Sequence, residues 1–475
     1  MHPTTEFTLQ QAWIPSGEGY EVRDLHIAAG RVAAIGPSLP PTGIQVDAHH
    51  KLLLPGFVNG HTHSPQIWLR GLIAPLPLEL WLSENYGELP SDMEAIYCSA
   101  AVTALETLYS GGTTLMDHIS LIPGQELPMI EAAVRAYRDV GIRAFVAPLI
   151  RDESMQAGIP SGGKLSFPSD TRSTDALLEM MQQVIDRFHR PEEGIHIAAG
   201  PTGPQLCSEA LFRGCIELSE RYGLARHSHL LETKAQQILC QEKFGCGGAE
   251  HLYRLGYLNE RTSLAHCVWL KDDEIPLLAE TGATVVHNPL SNLRLGSGIA
   301  PVLKYRQAGI NVALGCDGAA SNDGQDLLEA IKLGSILHGV TDPDYRHWIT
   351  PRQSLEMAAL GGAKGLGLGQ ETGSLTVGKS ADLVLYDLTQ LSLLPRTDPI
   401  GLLVLGRPSR VVDSVWVRGK RLIEAGQFCG QPGSLSPRVE TLRQQMLNRG
   451  TWRHKTLSAA TQTLGERYRA AMNLP

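Results

Sequence analysis

Between about residue 55 and residue 375 the chain alternates strand-like and helix-like segments, and this constrains the fold more than any other feature. Residues 94–110 have helical periodicity and stop at Gly111-Gly112, and 113–117 follow as a short β-rich run. The same exchange recurs with helix 129–140 and strand 143–149, helix 176–189 and strand 195–199, and helix 208–222 and strand 225–229. Residues 262–266, 284–287 and 312–316 are further strands, with helical stretches between them. Such alternation predicts parallel β/α units. About eight of them in roughly 320 residues fit an α/β fold of the (β/α)8, TIM-like barrel type with insertions. A doubly wound open sheet is the alternative. The sequence has no G-x-G-x-x-G after the first strand and no G-x-x-x-x-G-K-[ST], so nothing favours nucleotide binding.

The two ends of the chain complement each other. Residues 22–27, 31–35 and 45–54 are β-rich, but they are too few to bury a sheet alone. Residues 380–388, 411–417 and 421–423 supply matching strands at the far end. The expected organisation is a small β-sandwich domain built from 1–54 plus 376–434, a barrel from 55–375, and a polar, helix-prone tail from 435–475. The tail is expected to pack on the barrel or on a second subunit. A total of 475 residues is enough for this arrangement.

Composition narrows the functional classes. The chain is 43% hydrophobic and 19% charged, with a net charge of -8 and no Lys/Arg-rich block, so no nucleic-acid partner is expected. Eight scattered cysteines without a C-x-x-C pair read as free thiols in a reducing compartment. The N-terminus lacks a basic-then-apolar leader, and no apolar run approaches the ~20 residues of a membrane span. These features predict a cytoplasmic protein without a membrane partner.

Chemistry concentrates where the strands end. Pro55-Gly56-Phe57-Val58-Asn59-Gly60-His61-Thr62-His63 puts two histidines at i and i+2, on one side of a strand end. Neutral imidazoles placed in this way suit zinc and its neighbours. The fifth strand carries His227 and His229 and runs on to Glu232; the sixth ends at His266 and the eighth at Asp317. Taken singly, each has an ordinary reading: a hydrogen-bonded core histidine, a helix-first-turn carboxylate, a turn aspartate before Gly318. Together they stand at successive strand ends, on the face of a barrel where sites are built.

These motifs resemble the amidohydrolase superfamily, in its aminohydrolase branch. That branch includes S-adenosylhomocysteine/methylthioadenosine deaminases, guanine and 8-oxoguanine deaminases, and triazine hydrolases. The likeness rests on Pro-Gly-x-x-x-x-His-x-His, on His229-x-x-Glu232, on His266 and on Asn288-Pro289-x-Ser291-Asn292-x-x-Leu295-x-Ser297-Gly298. Asp317-Gly318-Ala319-Ala320-Ser321-Asn322 and Gly373-Ser374-Leu375-x-x-Gly378-Lys379-x-Ala381-Asp382-Leu383 complete it. The resemblance implies His61, His63, His229 and Asp317 as metal ligands, with Glu232 as proton shuttle and His266 over the attacking water. The fourth strand has no lysine to bridge two ions, which implies one divalent ion, zinc with iron(II) as the alternative. The metal would acidify a bound water, Asp317 would take its proton, and Glu232 would protonate the ring and the leaving amine. The P-C-x-x-C signature of cytidine-type deaminases is absent.

The implied reaction is hydrolytic deamination of a small aromatic N-heterocycle: a purine, a pterin or an adenosine derivative. The alternatives are a triazine-type hydrolase releasing chloride or alkylamine, a cyclic amide hydrolase, and a scaffold that has lost its chemistry. Gln66 is expected to pair with an amide-like ring edge. The segment around Trp81 resembles the S-adenosylhomocysteine/methylthioadenosine group. Thr202 stands where adenosine-type deaminases carry a histidine, which makes it a substrate-side candidate. Residues 152–171, rich in Gly, Ser and Pro, read as a lid or insertion. A homodimer is implied by the resemblance alone.

Overall fold

The computed structural model describes residues 6–85, 90, 92–160, 171–430, 435–448 and 459–473. Most of the expected lid, 161–170, therefore lies outside the described residues. Five strands open the chain: β1 (Phe7–Ser16), β2 (Gly19–Ala28), β3 (Arg31–Gly36), β4 (Ile44–Asp47) and β5 (Lys51–Pro55). Eight parallel strands follow: β6 (Phe57–Thr62), β7 (Gly112–Ile119), β8 (Arg143–Pro148), β9 (Ile195–Ile197), β10 (Arg226–Leu230), β11 (Thr262–His266), β12 (Thr284–His287) and β13 (Val312–Leu314). The chain then returns through β14 (Leu383–Asp387), β15 (Val412–Val417), β16 (Lys420–Glu424) and β17 (Gln427–Phe428).

The eight central strands form two four-stranded parallel sheets, β6–β9 and β10–β13, and both junctions between them are stitched. Ala199 pairs in parallel with Arg226, and His227 N–H donates to the Ala199 carbonyl at 2.8 Å. On the other side Asp317 N–H donates to the His61 carbonyl at 2.8 Å, and the Thr62 hydroxyl donates to the Asp317 carbonyl at 3.0 Å. Strand order follows chain order throughout, as a sequential β/α barrel requires. The helices between strands begin and end on local signals. Ser173 and Ser208 cap Thr174–Phe188 and Glu209–Tyr222 by accepting from the backbone, and Gly141 and Gly223 close their helices in the left-handed region. Their apolar faces bury against the outside of the barrel in one continuous core.

The chain ends make one nine-stranded sheet, in the order β17-β16-β15-β14-β5-β1-β2-β3 with β4 beside β1. The strands of both chain ends thus share one sheet, apart from the two parallel central sheets. Phe7 on β1 and Trp416 on β15 stack with ring centroids 5.5 Å apart across the sheet's own small core. Val32 N–H also donates to the Lys379 carbonyl at 2.9 Å, pulling β3 toward the chain that enters β14. A buried ion pair, Arg143 Nη1 to Asp382 Oδ2 at 2.7 Å, locks this sheet to the barrel. The spans expected from sequence omitted β1. Its alternation is broken by a bulge between Leu9 and Ala12, where Gln11 takes a positive φ of 60°.

The tail packs on the barrel. Leu442 and Met446 of helix Leu435–Asn448 enter the main core, and Arg438 Nε donates to Glu94 at 2.8 Å. Helix Ala459–Ala471 lies against Leu78–Asn85. No helix among the described residues is long and apolar enough to cross a membrane.

Candidate metal centre and active site

Four elements bring imidazole and carboxylate to one point above the barrel. The β6 strand delivers His61 and His63, with register shifts between Phe57 and Thr62 that re-aim its side chains. His229 comes from β10, His266 from the end of β11, and Asp317 from just past β13. His266 and Asp317 both take positive φ, 75° and 62°, a backbone strain typical of residues held for function.

The ring nitrogens are fixed in pairs. His63 Nδ1 meets the His118 carbonyl at 2.5 Å, and His229 Nδ1 meets the Thr202 carbonyl at 2.7 Å. A carbonyl only accepts, so each ring carries its proton on Nδ1 and turns a bare Nε2 inward. The two Nε2 atoms are 3.3 Å apart. Asp317 Oδ1 lies 3.5 Å from both His61 Nε2 and His63 Nε2. His61 Nδ1 is taken up by His227 Nε2 at 2.8 Å, and His227 Nδ1 by the Ser263 hydroxyl at 2.7 Å. His61 Nε2 is buried and has no hydrogen-bond partner among the described residues. Nitrogen and oxygen ligands that converge on such an orphaned atom suit a divalent cation, and zinc in particular. His61, His63 and His229 form one group able to hold an ion, His61, His266 and Asp317 a second, and His61, His118 and His227 a third. Burial drives His61 and His229 well below the usual imidazole range, so both stay neutral and available as ligands.

The remaining polar residues surround this point. His266 Nε2 lies 3.6 Å from Glu232 Oε2 and 3.9 Å from Asp317 Oδ2. Its Nδ1 bonds Asn292 Oδ1 at 2.8 Å. Glu232 receives a hydrogen bond from the Ser297 hydroxyl at 3.3 Å. Burial, and then the negative charges of Asp317 and Glu79, push its carboxyl well above the usual range, toward the protonated form. Behind the histidines, Asp117 holds the β6 loop. It accepts from Ser64 N–H at 2.9 Å, from the Ser64 hydroxyl at 2.7 Å and from the Tyr137 hydroxyl at 2.7 Å.

His63, Gln66, Trp81, Thr202, His229, Glu232, His266 and Asp317 line one cavity of about 450 Å³, and the buried His61 and His227 do not. Gln66 and Thr202 line it, and Trp81 lines it while its Nε1 donates to the Ala320 carbonyl at 3.2 Å. Gln66 packs so closely over Gly318 that a Cβ there would fall 1.8 Å from Gln66 Oε1, so any side chain at 318 would displace the Gln66 amide. From this polar end an arm runs outward. Leu121, Ile122 and Pro123 follow β7, Leu149, Ile150 and Met155 follow β8, and Leu177 and Met180 come from helix Thr174–Phe188. The Arg172–Glu126 ion pair, 3.0 Å, also borders the cavity. Sequence reading missed these residues, together with His118, Asn292 and Ser297 in their contacts with the site. For His118 the signal was there: Asp117-His118 is a polar pair at the end of a barrel strand.

Comparison with known proteins places the chain among relatives. It is 32% identical over 413 residues to a 5'-deoxyadenosine deaminase of Methanothermobacter thermautotrophicus, covering 85% of this chain and 89% of that protein. A triazine hydrolase from Arthrobacter aurescens superposes with a TM-score of 0.83 at 26% identity, covering 93% of this chain and 99% of the other. A zinc-bound adenosine deaminase from Xanthomonas campestris gives a TM-score of 0.83 at 26% identity, covering 94% and 98%. The amidohydrolase family profile matches residues 52–422, and on that extent and these likenesses the chain belongs to the amidohydrolase family.

Proposed function

We propose that this protein is a metal-dependent deaminase that releases ammonia from an amino-substituted aromatic N-heterocycle of the purine, pterin or adenosine type. One observation carries the reading. The orphaned Nε2 of His61 converges with the bare Nε2 atoms of His63 and His229 and with Asp317 Oδ1, beside a buried acid held toward its protonated form.

On this reading His61, His63, His229 and Asp317 hold one divalent ion, zinc by likeness to the zinc-bound relative. When bound, the ion supplies a water acidified toward neutrality. The chain's own groups do the rest. Asp317 Oδ2, turned toward His266, takes the proton of the attacking water. His266 Nε2 holds that water in line between the carboxylates. Glu232 delivers its proton to the ring nitrogen beside the reacting carbon, offsetting the loss of aromaticity; it is recharged by the proton that Asp317 took up, passes it to the departing amine, and regains its own proton from the C–OH group as the carbonyl forms. A C–O bond forms, the C–N bond breaks, and ammonia leaves while the ring becomes a lactam. Gln66 pairs with a ring edge, Trp81 walls the ring, and the apolar arm takes the ring's substituent.

The test is product analysis. Metal-loaded protein is incubated with purines, pterins, adenosine derivatives including 5'-deoxyadenosine, and amino- and chloro-triazines, and each product is weighed by mass spectrometry. Exchange of NH2 for OH with stoichiometric ammonia supports the reading and names the ring. Exchange of chloride or alkylamine alone moves the protein to the triazine-type reading, and no exchange on any member overturns both.

A further inference from the structure

The segment from Asn288 to Gly298 stood out in the sequence, yet no step above uses it. We infer that Asn292 and Ser297 are a pair of positioning residues: one loop aims both His266 and Glu232 at the reacting centre. The inference rests on the deaminase reading.

Asn292 sits in the short helix Pro289–Arg294, and Ser297 lies just beyond it. Both are almost fully buried, at 1% and 3% exposure. Asn292 Oδ1 bonds His266 Nδ1 at 2.8 Å, which keeps the Nδ1 proton in place and turns Nε2 toward Glu232 and Asp317. The Ser297 hydroxyl donates to Glu232 Oε1 at 3.3 Å, which leaves Oε2 facing His266. The two residues are tied to each other, since Ser297 N–H donates to the Asn292 carbonyl at 2.8 Å. Gly296, at a φ of 65°, makes the turn between them.

The loop is clamped from both sides. Arg294 donates to Asp323 at 3.1 Å and to the Ile73 carbonyl at 2.8 Å, and Trp269 Nε1 donates to the Ser297 carbonyl at 2.7 Å. Neither Asn292 nor Ser297 is one of the four residues assigned to the ion, so changing them leaves the ligand set whole. Misplacing a reacting group by about 1 Å can cost on the order of 10²-fold in rate. Partners of this kind around metal sites are typically worth about 10–100-fold. A loop that fixes two side chains through one backbone bond also predicts non-additive losses.

The experiment uses the full chain loaded with zinc and the fastest amino-heterocycle of the panel, with the chloro analogue of the same ring as a second probe. Chloride departs without a proton; the amine does not. Asn292→Leu is expected to lower kcat about 10–100-fold on both probes, with KM and zinc content unchanged. Asn292→Asp keeps the acceptor and is expected to retain more activity than Asn292→Leu. Ser297→Ala is expected to lower amine release more than chloride release, and Ser297→Thr to restore the ratio. The double variant should lose less than the product of the single losses. Glu232→Gln separates the two ideas. If it is inactive while Asn292→Leu and Ser297→Ala run at the wild-type rate, the positioning claim fails and the deaminase reading stands. If Glu232→Gln keeps releasing ammonia, or no panel member reacts, both fail. A Ser297→Ala loss with an unchanged amine-to-chloride ratio, or an Asn292→Asp variant no better than Asn292→Leu, overturns the positioning claim.

Discussion

The two ends of the cavity are built on opposite plans. At the inner end hydrogen bonds fix the direction of the histidine rings and leave His61 Nε2 without a partner among the described residues. His63, His229 and His266 are each held through Nδ1, and Asp317 is held by Gly318 N–H at 2.6 Å and through its carbonyl by Thr62 and Gln325. In the outer arm the wall is mainly Leu, Ile, Pro and Met, brought from two loops and one helix. An inner end with fixed hydrogen-bond directions can orient a reaction; a mainly apolar arm, bordered by the Arg172–Glu126 pair, can sort substrates by bulk and polarity. Chemistry and selectivity should therefore be separable by mutation, and that separation can be tested.

The largest effect belongs to the inner end. Asp317→Ala or His61→Ala should abolish metal binding and lower kcat/KM by more than about 10³-fold, beyond the ~10–100-fold expected of an outer partner. Metal analysis beside kinetics checks this, and a variant that keeps its ion and its rate would break the comparison. His227→Leu, which removes the partner of His61 Nδ1, should fall in that lower range, with weakened metal affinity measured by competition with a chelator. In the arm, Leu121→Trp should leave metal content unchanged. It should lower kcat/KM by about 10–200-fold for substrates with bulky substituents while sparing small rings. An equal loss on all substrates would mean the arm does not sort them.

The smallest effect is on stability and lies away from both ends. Burial holds His196 down to about 3 and His338 down to about 4. Each is favoured neutral in the folded chain, and each takes up a proton near pH 6.5 once unfolded. Stability is therefore intact above about pH 6.5 and falls as pH drops toward 4, by up to about 1.4 kcal/mol per pH unit for each group. Thermal melts from pH 7.5 to 4.5 should show a shallower decline for His338→Phe than for the wild type.

The same contrast explains what the sequence reveals. The inner end is legible because each residue stands at a strand end in a local motif: His61-Thr62-His63, His229-x-x-Glu232, Asp317-Gly318. The barrel is legible because β and α periodicities differ. The arm is not. Leu177 and Met180, three apart on a helix, read as ordinary core, and only the fold brings them to Leu121 and Met155. The role of Asn292 is hidden for a similar reason: its contact with His266 spans 26 residues and depends on the two loops meeting. The first strand, Phe7–Ser16, is masked by its bulge.

The most direct test of the inner end as the catalytic centre is a side-by-side assay of wild type and Glu232→Gln, each with its metal content measured in the same sample. One divalent ion per chain is expected in both proteins, with ammonia release by the wild type and a loss of at least about 10²-fold in the variant. A variant that deaminates at the wild-type rate, or a wild type that turns over without any bound ion, would contradict this role of the inner end.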